Sequence, residues 1–244
     1  MSKAYRPSWG VRAVVTLLLT AFVVLPSASA ALAVPTDVGH KDFSFGTQPA
    51  RPTGEKNQSK LWFNDGTWWG SLFNRRDGDW HIYRFDQASH NWSDTGTLLE
   101  ARYNAKADVL WDGTKLYVAT APNSTATADE KAYVRRYSYD ATTGRYTRDL
   151  SVSVARGPME SIVLDKDSTG KLWVTYAKGG KVYVNASEGG DATWGAPFVP
   201  QVRGASNLTS DDISSVVAFD RKTAAPQVGL MWSNQNNDAM YWAT

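Results

Sequence analysis

From residue 60 onward the chain alternates apolar and polar positions with a period of two, as in His81-Ile82-Tyr83-Arg84-Phe85, Lys115-Leu116-Tyr117-Val118-Ala119-Thr120 and Tyr133-Val134-Arg135-Arg136-Tyr137. Such segments are rich in β-branched and aromatic residues and bounded by turn residues, which predicts strands. No stretch beyond residue 30 holds a 3.6-residue period with caps. The strand pattern also repeats. Leu61-Trp62-Phe63-Asn64-Asp65 matches Val109-Leu110-Trp111-Asp112, Ile162-Val163-Leu164-Asp165 and Val217-Ala218-Phe219-Asp220, with the closing acid at 65, 112, 165 and 220. In each copy an apolar strand ends in Asp and a turn follows. That turn is Asp-Gly in two copies, a pair that supplies the positive φ of a tight hairpin.

Four strands per repeat of about fifty residues predict an all-β fold, a β-propeller of four-stranded antiparallel blades. One such sheet cannot hide both faces from water, so it must stack on its neighbours. The repeats run approximately over 60–100, 107–155, 160–200 and 212–244. The last contains only three strands. Residues 38–46 offer an outer strand that would close a four-bladed ring. The alternative is a piece of a five- or six-bladed propeller, which an end inside a strand favours.

Residues 1–30 read as a secretory signal peptide: Lys3, Arg6 and Arg12, then the apolar run Val14 to Leu25, Pro26, and the small-residue site Ala28-Ser29-Ala30. The run is too short for a bilayer span. The domain is then 31–244, secreted, extracellular and with no membrane span after cleavage. It carries 23 basic and 24 acidic residues, a balance that gives no basic surface for nucleic acid. There is no cysteine, so disulfides, thiolate nucleophiles and cysteine-bound metals are excluded, and packing must supply the stability. A monomer is expected.

The segment Ser187-Glu188-Gly189-Gly190-Asp191-Ala192-Thr193-Trp194 resembles the Asp-box turn, Ser-x-Asp-x-Gly-x-Thr-Trp, of sialidases and related propellers, with Asp and Gly exchanged. The resemblance implies a secreted bacterial propeller of sialidase-like type, and it speaks for fold only, because the Asp-box is structural in that family. It transfers no catalytic residue. The sialidase Arg-Ile-Pro segment is missing, since Arg51-Pro52 lacks the Ile.

Ligands of propellers usually sit on the axial face, among the loops leading into the inner strands. Those loops here carry Arg51 and Glu55, Arg102 and Asp108, Arg156 and Glu160, Arg203 and Asp212. The last three acids are spaced by one repeat, and radial stacking would bring the charges together around one opening. Arginines there would clamp an anionic group. Glu160, Asp212 and Asp108 are the candidate acids for glycoside cleavage. A charge pair present in every blade reads first as an interblade salt bridge. Trp69 and Tyr103, in or near turns, are the candidate sugar-stacking rings. Asp165 and Asp167 begin a calcium-loop pattern that lacks its closing Glu and reads as an ordinary hairpin turn, so no cofactor is expected unless it is calcium. The expected partner is an extracellular glycan or cell-surface ligand. A glycoside hydrolase or lyase and a non-catalytic scaffold or adhesion module are the alternatives.

Overall fold

A computed structural model describes residues 41–46, 56–220 and 226–244. The expected signal peptide, residues 38–40 of the expected closing strand, Arg51 and Glu55 lie outside them. No helix occurs among the described residues, and the chain forms four antiparallel up-and-down sheets. The first holds β1 (Leu61–Asn64), β2 (Thr67–Asn74), β3 (Asp79–Asp86) and β4 (Asn91–Glu100). The second holds β5 (Lys106–Trp111), β6 (Lys115–Ala121), β7 (Lys131–Asp140) and β8 (Arg145–Arg156). The third holds β9 (Val163–Lys166), β10 (Leu172–Lys178) and β11 (Lys181–Ala186). The fourth holds β12 (Ser214–Phe219), β13 (Gln227–Asn234) and β14 (Ala239–Ala243). The β1–β2 hairpin turns through Asp65 and Gly66, both at positive φ, as its Asp-Gly pair requires.

These sheets are the blades of a propeller, and β6 shows why they stack. Its alternation sends Leu116 and Val118 to one face and Tyr117, Ala119 and Ala121 to the other, and all five are buried. The first set packs with Trp62, Trp69, Trp80 and Ile82 of the first blade. The second packs with Ile162, Leu164, Leu172 and Val174 of the third. A smaller core around Val182, Leu208 and Trp232 joins the third blade to the fourth.

The inner strands are fastened by carboxylates. Asp108 accepts from the backbone N–H of Ser59 (2.6 Å) ahead of β1 and of Leu164 (2.8 Å) in β9, and so links three blades. Asp165 accepts from Ala218 N–H in β12 at 2.7 Å. Across the hub, Asn57 donates to Ser214 O (2.7 Å) and Gln58 to Ile162 O (3.0 Å). Burial raises the Asp108 carboxyl to about 6 despite its two N–H donors and the nearby Lys60. Burial likewise lowers the Lys60 ammonium to about 8.

The outer part of the third blade is irregular. The Asp-box-like turn closes through a bridge between Ser187 and Trp194, and Val184 bridges Phe198 beyond it. Asp191 in that turn accepts two bonds from Arg136 and one from the Tyr117 hydroxyl, which ties it to the second blade. Residues 41–46 contain no strand and do not extend the fourth sheet. They lie on the first blade instead, where Phe43 stacks on Tyr83 at 5.2 Å and the Asp42 carboxylate accepts from Trp92 N–H. One face of the first sheet (Leu61, Phe63, Trp68) and one face of the fourth (Val217, Met231, Met240, Trp242) are exposed.

A glycine sets the geometry next to the fourth blade. Gly204 has a φ of +80, and a Cβ there would lie 2.5 Å from the Tyr241 ring. Its carbonyl also accepts from the Trp232 indole at 2.8 Å. Gly204→Ala is expected to cost about 2 kcal/mol, from backbone strain and displacement of the ring. Urea unfolding would measure it, and a midpoint equal to wild type would contradict the packing.

Candidate functional site

Radial stacking brings the segments leading into all four inner strands to one end of the hub, where they enclose a cleft of about 420 Å³. Each blade contributes. Lys56 and Gln58 precede β1, Tyr103 and Asn104 precede β5, Glu160 and Ser161 precede β9, and Asp211 precedes β12. The β6–β7 loop adds Asn123 and Ser124.

Lys56 is the electrostatic centre. Its Nζ lies 3.1 Å from Glu160 Oε2 and 3.1 Å from Asp211 Oδ1. Burial works against the ammonium, but the two carboxylates outweigh it and hold the Lys56 pKa above its usual value. The hydrogen bond and charge of Lys56 in turn hold the Asp211 carboxyl below the usual carboxylate range. The Gln58 amide is anchored through its Nε2 to Ile162 O, which fixes it at the cleft. Tyr103 leaves 51% of its surface open. Its loop is backed by buried Trp80, whose indole N–H donates to Tyr103 O at 3.2 Å.

Of the candidates read from the sequence, Glu160 and Tyr103 line this cleft and the others do not. Arg102 is held in a fork by Glu100, with contacts of 2.9 Å and 2.7 Å, and donates to Lys131 O. Its expected pairing with Asp108 is not formed, because the last residue of β4 lies closer. Arg156, the last residue of β8, and Arg203, in the turn ahead of the fourth blade, are exposed. Neither lines the cleft, so the arginines do not converge there. Trp69 is fully buried against Tyr139 and Tyr146 and offers no face to a ligand.

Asp212 is also fully buried. It accepts from Thr209 N–H, the Ser233 hydroxyl and Gln235 N–H, which holds the turn before β12 to the end of β13. Its neighbour Asp211 is the acid that reaches the cleft, and sequence spacing pointed one residue too far. Asp108 serves the interblade joint. The oxygens of Asp165 and Asp167 are taken up by protein donors: Ala218 and Lys166 N–H for Asp165, Thr169, Lys171 and the Trp173 indole for Asp167. That is the bonding of a capped hairpin. Lys56, Gln58 and Asn104 carried no repeat signal. Lys56 would have been found only by asking which cation precedes the first inner strand.

No protein-family profile matches the sequence, and no curated protein matches it. Among solved structures, a GH43 β-1,3-galactosidase superposes with a TM-score of 0.41 at 9% identity, over 75% of this chain and 44% of that one. An exo-β-1,3-galactanase from Clostridium thermocellum gives 0.40 at 13%, over 82% and 50%. One from Phanerochaete chrysosporium gives 0.38 at 12%, over 79% and 50%. The chain spans about half the length of these structures.

Proposed function

We propose that this chain is a secreted propeller that binds a glycan in the axial cleft. The observation that carries the reading is the exposed Tyr103 ring standing among fixed hydrogen-bonding groups from all four blades. A sugar ring presents an apolar face that stacks on an aromatic and a rim of hydroxyls that both donate and accept. Tyr103 supplies the platform. Gln58 and Asn104 supply amides, Glu160 and Asp211 accept, and Lys56 donates. A few placed polar groups around an apolar wall are what a small-ligand cleft requires.

Glycoside cleavage is the second reading, because two carboxylates meet here. Glu160 and Asp211 are bonded to one ammonium, so their bonded oxygens lie no further apart than twice 3.1 Å. That span includes the separation of a retaining pair, about 5–5.5 Å. A hydrolase also needs one of its acids protonated near neutral pH. Lys56 pulls Asp211 the other way, which suits Asp211 to the ionised partner of such a pair and not to the proton donor.

The test is calorimetry against neutral and sialylated oligosaccharides, β-1,3-galactan included. Tyr103→Ala is expected to weaken binding at least tenfold, about 1.4 kcal/mol, with the thermal midpoint unchanged, since the side chain is open to solvent. No binding across the panel, or equal binding by the variant, would reject the reading. Turnover of fluorogenic glycosides that Glu160→Gln abolishes would establish the hydrolase instead.

A further inference from the structure

We propose that Asp77, Asp79 and His81, at the β2–β3 hairpin of the first blade, form a binding site for a first-row divalent cation, with zinc as the best match. One ligand atom from each of the three side chains lies within 4.8 Å of the other two. Donors at about 2 Å from a tetrahedral ion sit roughly 3.3 Å apart, so a side-chain shift on the order of 1 Å closes the set. The sequence places them there. Asp79 and His81 are two apart on β3 and share a face, and Asp77 belongs to the turn just ahead of it.

Two further observations point to a cation. The first is an orphaned acceptor: Asp79 Oδ1 is buried and has no hydrogen-bond partner. A buried carboxylate oxygen with no donor is costly, and a bound cation removes that cost. The second is the support around His81. The residue is only 7% exposed, and the Asp94 carboxylate lies 3.0–3.1 Å from its Nδ1. Asn74 bridges Asp94 and Asp77 through its amide. A carboxylate that orients an imidazole is the usual outer layer of a metal site.

The donor types choose the ion. Calcium takes six to eight oxygens and magnesium keeps most of its water. One imidazole with two carboxylates suits zinc, which takes three protein ligands and a water. None of the three side chains lines the axial cleft, so the site stands independently of the glycan reading.

Tag-free full-length protein, stripped with chelator, would be titrated with zinc sulfate by calorimetry and followed by thermal unfolding. One ion per chain is expected to bind at micromolar or tighter affinity and to raise the midpoint. Asp79→Asn, which keeps the shape and removes the charge, is expected to weaken binding more than tenfold while keeping the chelator-treated midpoint near wild type. His81→Gln should do the same, and His90→Gln, in the next turn, should bind as wild type. The proposal is overturned if zinc shows no binding at about 100 μM, a concentration far above the expected affinity. Equal binding by Asp79→Asn, or calcium binding as tightly as zinc, would overturn it too.

Discussion

Replacing Glu100 with alanine is expected to lower the free energy of unfolding by about 4 kcal/mol. Glu100 ends β4 in a buried position, where it is gripped by Arg102, by Arg135 at 3.1 Å and by the Thr120 hydroxyl at 2.7 Å. Arg135 is itself buried. Removing the anion leaves that guanidinium in the interior without a counter-charge, and this is the costly half of breaking a buried pair. Burial pushes the Glu100 carboxyl up, but the Arg102 hydrogen bond and the charges of Arg135 and Arg102 outweigh it and hold it at about 2, below its ordinary 4.5. The unfolded chain therefore binds the proton more readily. The stabilisation is fully present above about pH 4.5 and is lost as pH falls toward 2. Urea unfolding of wild type and variant at pH 7 and pH 3 checks both points. The difference between the two proteins should shrink at the lower pH. A difference that stays the same, or is below 1 kcal/mol at pH 7, would show that the network contributes little.

Trp69→Ala is expected to cost a similar amount, about 4 kcal/mol, and to alter no ligand contact directly. The indole is fully buried between the first two blades, in edge contact with Tyr139 and Tyr146, with its N–H donating to Asn64 O at 2.9 Å. Truncation removes one of the three buried tryptophans of that joint and a hydrogen-bond donor to the Asn64 carbonyl. Trp68→Ala, one residue away and 45% exposed, should cost well under half as much. Thermal unfolding of the two variants side by side decides it, and equal losses would mean that the blade faces have been assigned the wrong way round.

That comparison also shows how far the sequence could be read. Period-two alternation and the Asp-Gly turns were enough for the blades, because each strand reports its own local pattern. They could not say which of two adjacent tryptophans faces inward. That depends on the register, which pairs Trp62 with Trp69 and Phe63 with Trp68, and on which side the next blade lies. The same problem governs the charges. Arg102 was read with Asp108 by spacing, yet the end of β4 brings Glu100 to it first. Asp211 and Asp212 are chemically alike and adjacent, and only the turn before β12 decides that one is solvent-facing and the other bonded inward. The location of the cleft followed from topology alone, since any radial stack gathers the leads into its inner strands. Its composition did not, because Lys56, Gln58 and Asn104 have no counterpart in the other repeats.

The joint made by Asp108 asks little of what it joins. Its partners are the backbone amides of Ser59 and Leu164, and every residue except proline carries such a donor. A neighbouring module can therefore drift in almost every side chain without loosening the weld, provided the single acid stays at its place. Kinship between modules would then fade to a thin trace of regularly spaced acids long before the architecture itself gave way.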